Sequence, residues 1–135
     1  MSSPRSPLTR LPELASDAIR RNIDSELEKL AKNPFWQRDT GRSSETIVKH
    51  DQLRIVLVRM KPGSYVSHHH AEGPISIYLM QGKVRVHLPG DRMEDLNPGD
   101  LLALERALEH DVEALEASAF MLTIAWPDTA AASRG

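Results

Sequence analysis

The chain has 135 residues, 19 acidic and 17 basic side chains, no cysteine and a formal net charge of −2, the size and balance of one domain with a real core. The missing cysteines exclude disulfides, cysteine-type zinc sites and thiol nucleophiles. The near-neutral charge and an aromatic content of 4% exclude both bulk attraction to polyanions and a base-stacking platform, so no nucleic-acid or membrane partner is expected.

Residues 1–11 are rich in Ser, Pro and Arg and read as disordered. They hold no apolar run of the secretory type, and no stretch approaches the roughly 20 apolar residues of a membrane span, so a soluble cytoplasmic protein is expected. Residues 12–45 read as a helix and an arm. Leu14, Ala15, Ala18, Ile19, Ile23, Leu27 and Leu30 recur at three- and four-residue steps, which predicts one amphipathic helix over Pro12–Lys32. Its apolar face has two candidate targets, its own domain and a second subunit. Asn33-Pro34 ends the helix, and Phe35 and Trp36 look like an anchor onto an apolar surface.

From about Thr46 the period changes to two. Short segments rich in Val, Ile and Leu follow, separated by turn signals at Lys61-Pro62-Gly63, Gln81-Gly82, Leu88-Pro89-Gly90-Asp91 and Asn97-Pro98-Gly99-Asp100. Many short strands with Pro/Gly turns predict an all-β sandwich or barrel over residues 46–127, with 128–135 as a tail. Arg54, Arg59 and Arg85 read as solvated charges on strand faces, with lining of a cavity mouth and capture of a carboxylate as the alternative.

Six histidines stand in the sequence, three of them consecutive at His68-His69-His70. On a strand, His68 and His70 share one face and His69 takes the other, so the run offers at most two ligands from one side. A metal site then needs a third histidine. His50 lies at a strand entry, and His87 alternates with Val84, Val86 and Leu88, which are the natural inward set. His110 ends a turn between two strands, from which a ligand projects back towards a barrel mouth. The alternative readings are a solvated loop and a metal-free pocket that uses the histidines for hydrogen bonding.

These residues resemble the cupins, whose first motif is G-x(5)-H-x-H-x(3,4)-E-x(6)-G and whose second is G-x(5)-P-x-G-x(2)-H-x(3)-N. His68, His70 and Gly82 fit the long-spaced first motif, with Gly63 one residue closer than the pattern asks, and Gly99 and His110 fit the second. Three slots differ. Ile75 stands in place of the ligand glutamate, Glu105 and Ala107 in place of the second motif's proline and glycine, and Ala114 in place of its asparagine.

The resemblance covers roughly residues 46–126. It implies a double-stranded β-helix, or jelly-roll barrel, preceded by one N-terminal α-helix. It also implies a divalent transition metal (Zn, Fe, Ni, Mn or Cu) held by His68, His70 and His110; Glu72 is a candidate substitute for the fourth ligand, its main reading being a loop residue. Three neutral imidazoles leave coordination positions open, as catalytic metals require. Alternation directs Ile75, Ile77 and Leu79 the way His68 and His70 point, with Val84 and Val86 beside them, so an apolar pocket for a small organic molecule is expected. Two functions follow: a metal-dependent oxygenase or isomerase-type enzyme acting on a small organic acid or enolate, or a non-catalytic binding or sensor protein. A homodimer is the expected assembly.

Overall fold

The structure, a computed structural model, describes residues 14–32, 41–68 and 73–126, with His68 described by its backbone alone. The expected disordered start, the Phe35–Trp36 anchor, His69, His70, Glu72 and the tail lie outside the described residues.

The described residues hold one well-defined helix and nine strands. Helix α1 spans Ile23–Ala31, about half the length expected from the apolar spacing. The reason is local. The side chain of Asn22 accepts a hydrogen bond from the Ser25 N–H at 2.9 Å, which caps the helix, and Asp24 and Glu26 follow in the first turn, where carboxylates suit the helix dipole. Upstream, Ala15–Asn22 runs as turn, bends and irregular chain, yet Ile19 still packs with the helix residues. The three- and four-residue spacing therefore reports burial across the break rather than one continuous helix. None of the described helical residues forms a segment long and apolar enough to cross a membrane.

The strands are β1 (Arg42–Lys49), β2 (Leu53–Met60), β3 (Tyr65–His68), β4 (Ile75–Gln81), β5 (Val84–Leu88), β6 (Arg92–Leu96), β7 (Leu101–Leu104), β8 (His110–Ala114) and β9 (Ser118–Ala125). They form a five-stranded sheet in the order β1-β2-β9-β4-β7 and a four-stranded sheet in the order β3-β8-β5-β6. Every pairing is antiparallel. This is the two-sheet jelly roll expected from the short alternating strands, and its turns fall on the Pro/Gly signals. At Gly82, which joins β4 to β5, φ is +84° and an added Cβ would collide with the Ala117 carbonyl and Ser118, so only glycine fits.

The core lies between the sheets. Val58, Met60, Ile75, Ile77, Leu79, Leu104 and Phe120 from the larger sheet meet Val66, Val84, Val86, Leu96, Val112 and Ala114 from the smaller. A second cluster lies on the outer face of the larger sheet, where Leu27 and Leu30 of α1 cover Ile47, Val48, Leu57 and Ala119. The helix thus takes the first of its two candidate targets, its own sheet. A bulge in β1 leaves Ile47 without a register partner between Thr46 and Val48, so both Ile47 and Val48 are buried. The Arg21 Nε–H donates to the Ile47 carbonyl at 3.0 Å, tying the helix entry to that bulge.

Candidate metal and ligand site

Strand β8 begins with His110. Its register partner in β3 is His68, and the next inward pair is Val66 with Val112, both buried. Cross-strand partners share one face of a sheet, so position 68 and His110 both fall on the register that lines the interior. His110 is buried and its Nδ1 lies 3.1 Å from the Leu108 carbonyl oxygen. A carbonyl only accepts, so Nδ1 carries a proton, and in the neutral ring the lone pair is then on Nε2. That tautomer is the one a histidine adopts when Nε2 serves as a ligand and a backbone carbonyl orients the ring.

The ring borders a small cavity of about 20 Å³, lined among the described residues by Val58, Val66, Ile77, His110, Val112, Phe120 and Leu122. A space of that size suits a single water or ion rather than an organic molecule. Among the described residues no three metal-capable side chains converge. Two of the three expected ligands, the His68 side chain and His70, are not among the side chains described.

Of the expected pocket residues, Ile77 lines the cavity. Ile75, Leu79, Val84 and Val86 are buried in the same interior core. Ile75, in the slot of the family glutamate, pairs with Ile124 and Leu104 and lies two residues along β4 from Ile77. The chain reaches β4 through Gly73, where a Cβ would overlap the Ala125 carbonyl oxygen. Only glycine allows the segment that follows the histidine run to pass that close to the end of β9.

Ala107 occupies the place of the second motif's glycine. Its φ is +66°, the left-handed region that glycine favours, so the motif's backbone bend persists although its residue does not. The bend leads into Leu108, whose carbonyl orients His110.

His87 points away from the interior, as alternation with Val84 and Val86 requires. Its Nε2 is 2.9 Å from Glu113 Oε1, and Tyr65 stacks on its ring at 5.7 Å. His50 is likewise elsewhere: its Nε2–H donates to the Ser16 carbonyl at 2.7 Å.

The three arginines divide. Arg85 is a strand-face charge as expected, bound to Asp95 through two hydrogen bonds of 2.8 and 3.0 Å. The Arg85 hydrogen bond, with its charge, holds the Asp95 carboxyl below the usual carboxylate range and raises the guanidinium in turn. Arg59 is half-buried on the helix-facing side of β2. Arg54 takes the alternative, cavity-mouth position: it lies over Trp126 with its guanidinium carbon 4.9 Å from the ring centroid. Alternation from Val56 and Val58, both packed on the interior core, already carried that signal.

Comparison with known proteins agrees with this fold. The family described as Cupin domain matches residues 56–126, more than half of the chain. The chain belongs to the cupin family.

No curated protein matches this cupin at a significant level. Solved structures share its fold at low identity. A conserved protein of unknown function from Streptococcus pyogenes is 18% identical over 67% of this chain and 79% of its own, with a TM-score of 0.62. KdgF from a Halomonas species is 24% identical over 69% of this chain and 87% of its own, with a TM-score of 0.59. Salicylate 1,2-dioxygenase from Pseudoaminobacter salicylatoxidans is 16% identical over 89% of this chain, with a TM-score of 0.73, but only 38% of that larger protein is covered.

Proposed function

We propose that this cupin binds one divalent transition metal ion through His68, His70 and His110, and acts on a small organic acid or enolate-like molecule as an oxygenase or isomerase-type enzyme. The observation that carries the reading is His110. It is buried, faces the interior, has its proton fixed on Nδ1 by the Leu108 carbonyl, and lies opposite His68 in register. A donor set of neutral imidazoles suits Zn, Fe, Ni, Mn or Cu, and Glu72 is a further candidate ligand. When bound, such an ion polarises a coordinated oxygen or supports redox chemistry. The chain's own part is to orient His110 through Leu108 and to surround its ring with the apolar side chains of Val58, Val66, Ile77, Phe120 and Leu122. With isoleucine at position 75 the first shell brings no negative charge there, which favours an anionic ligand from outside.

A second reading, a non-catalytic metal or small-molecule binding protein, is favoured by the size of the His110 cavity, about 20 Å³. Elemental analysis of the protein purified without a metal-binding tag separates the two. A redox-active ion near one per chain supports the enzyme, and a protein that neither retains nor takes up metal supports the binding module.

The reading includes a homodimer. Helix α1 is engaged by its own sheet, but Tyr78 and its register partner Leu101 are exposed at the β4–β7 side of the larger sheet, with β7 as an open edge. A monomer by light scattering at micromolar concentration contradicts this part.

A further inference from the structure

Arg54 is on the inward register of β2. Val56, Val58 and Met60 follow it at two-residue steps and pack on the interior core, while Ile55 and Leu57 face the helix. Its partner in β9 is Ile124, which also pairs with Ile75. Strand β9 runs to this end from Ser118, whose hydroxyl meets Lys83 at the foot of β5, and β8 finishes at Ala114 beside that same foot. The start of β8, His110, therefore belongs to the same end of the barrel as Arg54. Arg54 is one inward step, roughly 7 Å at strand rise, beyond Val56, whose partner Leu122 lines the His110 cavity.

At this end a cleft of about 420 Å³ opens between the β1–β2 turn, the segment before the helix and the end of β9. Its lining is Ala15, Lys49, His50, Asp51, Arg54 and Trp126. Lys49 and Arg54 are direct register partners and share a face, so two permanent cations converge there against one carboxylate. The wall is fixed: His50 holds Ser16, and the Trp126 N–H donates to the Gln52 carbonyl at 2.8 Å. The guanidinium rests on the Trp126 ring, and its Nε is shut away from solvent with no hydrogen-bond partner among the described residues. A guanidinium oriented by the ring, with one N–H unsatisfied and the group lining the cleft, suits a planar oxyanion, because its fork matches the two oxygens of a carboxylate.

We propose that Arg54, braced by Trp126 and assisted by Lys49, is the anchor of a carboxylate-binding site at the rim of the barrel. The site takes an organic acid with a small apolar body, and it stands whether or not a metal is bound at the histidines.

The test is titration of the full chain with acetate and with benzoate at constant ionic strength, using acetamide and benzamide as uncharged controls. The Arg54 Nε–H and Trp126 indole N–H resonances are followed by nitrogen–proton NMR. Both carboxylates produce saturable shifts and the amides do not. Arg54→Gln weakens binding by about tenfold or more, the usual loss of a hydrogen bond to a charged group. Lys49→Gln weakens it by about twofold to fivefold, as removal of an exposed charge does. Arg54→Lys keeps the charge, loses the fork and weakens binding as well, which keeps the test valid if the glutamine variant melts. His110→Ala leaves the titration intact while removing metal, so failure here and failure of the metal reading are separate outcomes. Equal shifts with the amides, or wild-type affinity in Arg54→Gln or Arg54→Lys, overturn the proposal.

Discussion

Positions 68 and 110, both histidine, are direct register partners across the β3–β8 ladder, the last residue of one strand opposite the first of the other. The two cupin motifs, separated by some forty residues of chain, are thereby joined at one rung of a paired ladder. The consequence for function is that the second motif's histidine is delivered to the first motif by strand pairing, not by a flexible loop.

Position 75 offers a direct probe of that geometry. Ile75→Glu adds a carboxylate on the inward face of β4, in the slot of the family's acidic ligand. Without metal the buried carboxyl has no partner and the variant loses on the order of a few kcal/mol. With metal the carboxylate coordinates, and the melting temperature rises more on metal addition than it does for the parent. Thermal melts with and without Zn²⁺ measure this, and equal metal-dependent shifts in the two proteins place position 75 away from the ion.

Ala107 pays a conformational penalty that glycine avoids, with φ at +66°. Ala107→Gly is expected to stabilise the protein by about 0.5–1 kcal/mol, the left-handed strain of alanine less the added freedom of the unfolded chain. Denaturant unfolding reads it. A loss of stability shows that the bend before His110 is not strained.

The helix is a clamp on the larger sheet rather than an appendage. Leu30 is 1% exposed against that sheet, and Leu30→Ala should cost about 2–5 kcal/mol. Asn22→Ala removes the cap and should cost about 1 kcal/mol. Urea midpoints decide between this and a loosely attached helix, for which both substitutions leave stability unchanged.

The Arg85–Asp95 pair makes part of the stability pH-dependent. Asp95 is held below its ordinary range by the Arg85 hydrogen bond, so the folded state binds that proton less readily than the unfolded chain. The contribution is complete above the unfolded carboxylate range and is lost as pH falls through the lowered value in the folded state. Both side chains are solvent-accessible, so the effect is small and screened by salt. In Asp95→Asn the acid limb of the stability–pH curve is correspondingly shallower at low salt, and an unchanged limb rules the pair out as a contributor.

Much of this fold was legible in the sequence because its turns are chemically specified. Pro62-Gly63, Gly82, Pro89-Gly90 and Pro98-Gly99 each close a connection where the signal stands. His110 was legible as the third histidine through motif spacing, and its burial follows from alternation with Val112. The helix start was not, because Ile19 and Ile23 serve the same apolar cluster on either side of the Asn22 cap, and burial periodicity is blind to the break. Of the two readings open for Arg54, solvated charge and cavity-mouth residue, the alternation of β2 favours the second, and Trp126 supplies the surface that makes an inward register tolerable. The hydrogen bond from His110 to Leu108 depends on a left-handed alanine, which no propensity would suggest.

The central claim, a metal centre built on histidines from both motifs, is tested most directly by zinc-edge X-ray absorption on the tag-free chain loaded with Zn²⁺, with metal content measured alongside. The account predicts about one ion per chain with three imidazole nitrogens at roughly 2.0–2.1 Å. Most metal is lost in His68→Ala, His70→Ala or His110→Ala, whereas His50→Ala and His87→Ala keep it and His69→Ala changes little. A wild-type protein that takes up no zinc, or a His110→Ala variant with an unchanged imidazole shell, contradicts the account.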